Sequence, residues 1–177
     1  MAFRDKAPEY TSKGNAFILG IKDLLSEPAL EFDRLPLADV DETLFNNRLF
    51  PGEILLPGRG DRYRARCFDG ASLPVFPAGQ INVLRPKPNV ISEYVTWYIN
   101  QEEAQRFLSD SLGGTGIKAL SKSRLLTMPI PLPPIHIQEK ISRLQKLQAA
   151  RSALLSELND LNRREINASC CALLKNR

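Results

Sequence analysis

Apolar and β-branched residues gather in four short runs along the first half of the chain: 16–21 (AFILGI), 53–57 (EILLP), 62–68 (RYRARCF) and 80–86 (QINVLRP). Each run is bounded by Gly, Pro, Asp or Asn, and each therefore predicts a strand. In the third, alternation puts Arg62, Arg64 and Arg66 on one face and Tyr63, Ala65 and Cys67 on the other. The period changes over 91–112, where Ile91, Tyr94, Val95, Tyr98, Ile99, Ala104, Phe107 and Leu108 recur at helical spacing. An aromatic stripe at that spacing (Tyr94, Trp97, Tyr98) belongs to the core. Ser121 is placed to cap a short helical turn through Leu126. The stretch PIPLPP (129–134) must be extended, because each proline pushes its predecessor out of the helical region.

Pro134 then fits the first position of a helix that no Pro or Gly interrupts as far as Lys175, a rod of roughly 60 Å. Along it Ile137, Ile141, Leu144 and Leu147, then Leu154, Leu158 and Leu161, form an apolar seam whose heptad slips near 148–151. A rod with one apolar stripe needs a partner helix, and the sequence contains no second helix of similar length. Self-association or docking on another protein is the expectation. The whole reads as α+β: a mixed strand and helix domain over 1–133, followed by one long coiled-coil-type helix over 134–177.

A length of 177 residues suits one domain with a real core plus an appendage. A hydrophobic fraction of 43% and a charged fraction of 25% are those of an ordinary globular protein. No apolar run approaches the ~18 residues of a membrane span, and MAFRDKAPEY lacks a signal-peptide core, so a cytoplasmic protein is expected. Cys67 stands alone and Cys170 and Cys171 are adjacent, without C-x-x-C spacing, which suits a reducing compartment and small residues packed beside a helix seam.

The charge distribution changes this picture more than the net +4 does. Residues 58–90 carry six basic and two acidic side chains, and 113–133 carry Lys118, Lys122 and Arg124 with no acid. The segments before each are acidic. Two acid-poor clusters, both containing glycines, make a patch suited to a polyanion if they face one side.

Catalytic constellations do not assemble. His136 is the only histidine, so a Ser/His/Asp or Cys/His site would hang on it alone. GRG (58–60) lacks the G-x-G-x-x-G spacing, and GGTGIK (113–118) lacks G-x-x-x-x-G-K-[ST]. No cysteine–histidine cluster suggests a metal. Glu53, Asp61 and Asp69 would be the acids of a magnesium-dependent nuclease, a reading without a supporting motif. No metal and no cofactor is expected.

FPGEILLPGRG (50–60), FPAGQINVLRP (76–86), SEYVTWYINQEEAQRFL (92–108), GGTGIKALSKSRLLTMPIPLPP (113–134) and IQEKI (137–141) together resemble a specificity (S) subunit of a type I restriction–modification system. G-T-x-I-x-x-L-S, then I-P-L-P-P, then Q-x-x-I opening a long helix is the specific part. The resemblance covers about residue 15 onward. It implies a non-catalytic protein that reads double-stranded DNA and carries methyltransferase (M) subunits and, through them, a restriction (R) subunit.

An ordinary member has two recognition domains and two antiparallel long helices, whereas this sequence is similar to half of that. The Trp-containing strand usual at the start is not recognisable before FILGIKDL. The expectation is a half-subunit that pairs its helix with a second copy, or with another half, to read a two-part target. Arg59, Arg62, Arg64 and Arg66, with Gly114, Thr115, Lys118 and Lys122, are the expected DNA-facing residues. The alternative is an S-like interaction protein that pairs with or caps another specificity subunit without reading DNA.

Overall fold

The computed structural model describes residues 8–26, 30–60, 63–109 and 119–175. Within the runs AFILGI (16–21) and EILLP (53–57) lie β1 (Ala16–Leu19) and β3 (Ile54–Pro57), and both strands are buried along their whole length. A strand buried on both faces is apolar at every position rather than alternating. Each serves as the middle strand of a three-stranded sheet. β1 lies between β2 (Leu37–Ala38), antiparallel, and β5 (Val75–Pro77), parallel. β3 lies between β4 (Arg66–Cys67) and β6 (Ile81–Leu84), both antiparallel.

The alternation of side chains on β1 and β3 sorts the core into layers. Phe17 and Leu19 of β1 meet Leu55 of β3, with Phe32, Phe68, Val75 and Ile81, in one cluster. Ala16 and Ile18 point the other way, onto Ala38, Val40 and Phe76. Ile54 and Leu56 point away from β1, into a third cluster with Tyr94, Val95, Ile99 and Leu108. That last group comes from α2 (Ser92–Ile99) and α3 (Glu102–Ser109), so the predicted aromatic stripe is core.

The region expected as one helix is two. Asn100 closes α2, and its side chain leaves the helix to serve the chain before β4. There Ala65 N–H donates to Asn100 Oδ1 at 2.8 Å, and Asn100 Nδ2 donates to Ala65 C=O at 3.0 Å. One amide thus satisfies both backbone groups of Ala65, and among the described residues the predicted strand 62–68 is observed only over Arg66–Cys67. Gln105 Nε2 donates to the carbonyls of Tyr63 (3.0 Å) and Ile99 (2.7 Å), tying α3 to the same segment.

Ser121 caps α4 (Lys122–Leu126), its hydroxyl accepting from Arg124 N–H at 3.2 Å. The long helix, α5 (Ile135–Lys175), runs 41 residues from an extended proline segment. Its root is fixed by polar groups. Buried Gln138 accepts from Ile91 N–H at 3.0 Å and donates to Pro133 C=O at 2.8 Å, while Tyr94 O–H donates to Pro131 C=O at 2.6 Å. Lys146 pairs with Glu93 at 2.8 Å, and that hydrogen bond holds Glu93 below the usual carboxylate range. Ile141 packs against the body. Beyond it the seam residues Leu144, Leu147, Leu154, Leu158 and Leu161 are each more than half exposed.

Candidate nucleic-acid interface

The tripeptide Gly58-Arg59-Gly60 follows β3 directly, and each glycine has a geometric cause. Gly58 N–H donates to Gln80 C=O at 2.7 Å, and a Cβ at Gly58 would stand 2.9 Å from that oxygen. Gly60 has φ of +108°, a conformation that favours glycine. Between them Arg59 is exposed, and its backbone makes an antiparallel bridge with Ala119, reinforced by Leu120 N–H to Gly58 C=O at 2.9 Å. The bridge joins the two acid-poor segments of the sequence. Lys122, exposed at the start of α4, is three residues beyond it and forms no ion pair among the described residues.

In the segment that follows, Tyr63 and Ala65 are buried and Arg64 is exposed, as the alternation requires. Arg66 shares Arg64's face but turns to the end of α1 (Ile21–Leu24). Its Nε donates to Leu24 C=O at 2.8 Å and its Nη2 to Ser26 C=O at 2.6 Å. The Leu24 carbonyl is one that the end of α1 leaves unsatisfied and Ser26 lies just beyond that end, so the guanidinium ties the arginine-rich segment to α1. Arg62, Gly114, Thr115 and Lys118 lie outside the described residues.

A neighbouring groove of about 650 Å³ is floored by β6 and walled by residues 46–49 and α4. Arg48, Arg85 and Lys122 face it, with Glu53 as its one carboxylate. Glu53 is buried; it accepts from Phe50 N–H at 3.0 Å and pairs with Arg85. The guanidiniums of Arg48 and Arg85 lie 4.7 and 5.7 Å from the centre of the Phe50 ring. Arg48 was hidden because its segment is acidic overall; only folding brings it opposite β6.

Elsewhere, burial foremost pushes the Cys67 thiol up to about 11, with Glu93 and Asp69 adding to the shift, which keeps it protonated at neutral pH. Among the described residues no group of three or more His, Cys, Asp or Glu is placed to hold a metal ion, and no helix is long and apolar enough to cross a membrane.

A layered α+β body thus carries exposed Arg59 and Arg64 on the segment after β3 and extends into a long helix whose leucines are exposed. Residues 44–162 match the type I restriction modification DNA specificity domain family, and the chain belongs to that family. Its members are non-catalytic modules that supply DNA recognition within restriction–modification complexes. No curated protein matches the chain.

Proposed function

We propose that the chain is a half-size specificity subunit. Residues 1–133 read one half of a two-part DNA target, and the helix over 134–177 pairs with a second helix and docks the methyltransferase. The methyltransferase in turn brings the restriction subunit. The family match carries this reading, and two structural observations support it. The Arg59–Ala119 bridge joins the described parts of the two acid-poor segments, and the leucines of α5 beyond Ile141 are exposed along one long helix.

Within the reading, Arg59, Arg62 and Arg64 face DNA, where an arginine fork matches the two acceptors of a guanine edge. Arg66 holds their segment in position. Gly114, Thr115, Lys118 and Lys122 contact the phosphate backbone and set register. A homodimer would read a symmetric target with two inverted half-sites, and a different partner half would read an asymmetric one.

The test is base-by-base competition binding with the Arg59→Ala and Arg64→Ala variants. A base-reading arginine loses roughly 1–3 kcal/mol at one base pair and little elsewhere. Binding with no base preference in the unaltered protein would instead support the interaction-only alternative.

A further inference from the structure

The groove beside β6 has a composition that the fold alone does not require. Three cations face it, and its one carboxylate is already matched by Arg85 and the Phe50 N–H. The two guanidiniums are held in place before any ligand arrives: Arg48 Nη1 donates to Phe45 C=O at 3.1 Å, and both lie over the ring of Phe50. Lys122 completes the row from the opposite wall. Asn82, in the lining, has a buried amide nitrogen with no hydrogen-bond partner among the described residues.

The position of the groove matters as much as its charge. Gly79 lines it, and the adjacent Gln80 accepts from Gly58, the residue before Arg59. Lys122 on the far wall follows Ala119, the partner of Arg59. The groove therefore continues the edge that carries Arg59. A trough lined by three cations fits a ligand that carries several negative charges, as a duplex does at about one per 1.7 Å of axis.

We infer that this groove holds the DNA sugar–phosphate backbone beside the bases read by the arginine segment, with Arg48, Arg85 and Lys122 as its phosphate-binding residues. This rests on the DNA-recognition reading and adds a sequence-independent part to it. Arg48, from a segment that is acidic overall, and Arg85, from the basic 58–90 segment, extend the set of DNA-contacting residues beyond those expected from the sequence.

The experiment measures affinity of the full chain for several duplexes over a range of salt, for the unaltered protein, Arg48→Ala/Lys122→Ala and Lys122→Glu. Arg85 is left in place because removing it would strand the buried Glu53 carboxylate. If the groove holds phosphates, the double variant loses affinity by the same factor on every duplex. Its log–log salt slope becomes shallower by roughly 1.8, for two phosphate contacts at ~0.9 each. Lys122→Glu, folded normally by circular dichroism, weakens binding on every duplex as well.

An unchanged slope in both variants, with DNA binding intact, overturns the groove assignment and leaves the recognition reading standing. Salt-dependent binding without base preference in the unaltered protein, together with the slope change, sinks the recognition reading and keeps the groove. Absence of any duplex binding by the unaltered protein overturns both, and would turn the groove over to an acidic protein partner.

Discussion

Arg64 and Arg66 stand two residues apart on one face of one segment; Arg64 is exposed, and Arg66 is half-buried against the end of α1. The alternation that placed them together was legible in RYRARCF. The destination of Arg66 was not, because the carbonyls of Leu24 and Ser26 that it meets are about forty positions away in sequence. Asn100 is a similar case: nothing in YINQEE marks that residue as the surrogate strand for Ala65. Removing one partner of a buried backbone group exposes its full desolvation cost. Asn100→Ala is therefore expected to lower stability by roughly 1–3 kcal/mol, read as a lower urea midpoint with unchanged slope. A midpoint equal to that of the unaltered protein would mean that water replaces the amide at Ala65 without loss.

At the scale of elements, the four predicted runs contain β1, β3, β4 and β6, and the strands not foreseen are β2 and β5. β1 and β3 are buried on both faces and announce themselves as AFIL and ILLP. β5 is flanked and ended by prolines in LPVFPAG, a pattern that argues against a central strand; it forms because it is an edge, where a missing N–H costs no ladder bond. The single helix expected over 91–112 splits at Asn100 because that side chain is needed elsewhere. The long helix was the clearest element, since 41 residues without a breaker leave the backbone no reason to turn.

Its seam is only partly free. Ile141 packs on the body, and Leu155 and Ile166, absent from the predicted seam, are exposed beside the leucines that belong to it. Burying each leucine against a second helix contributes roughly 1.5–3 kcal/mol. Leu154→Lys/Leu158→Lys is thus expected to convert a sedimenting dimer to monomer while leaving the circular dichroism of the body unchanged, because both side chains are exposed in the single chain. A dimer unaffected by this change would place the contact elsewhere on the molecule.

Across the whole molecule, the two sheets and the helical layer form a rigid support with the arginine segment, the groove and the root of α5 on its periphery. The root is pinned through Gln138, Tyr94 and the Glu93–Lys146 pair, so the direction of the helix is fixed relative to the body. In the proposed assembly that fixed direction is what turns the length of paired helices into a defined distance between two half-sites. Such a subunit would act on the cell only through the enzymes it positions, and its effect would be written in the pattern of DNA methylation. The most direct measurement is a genome-wide map of adenine methylation in the host with and without this chain's gene. One gapped motif is expected to lose its methylation, and that motif is palindromic if two identical halves pair. Methylation unchanged at every motif, with the methyltransferase expressed, would contradict it.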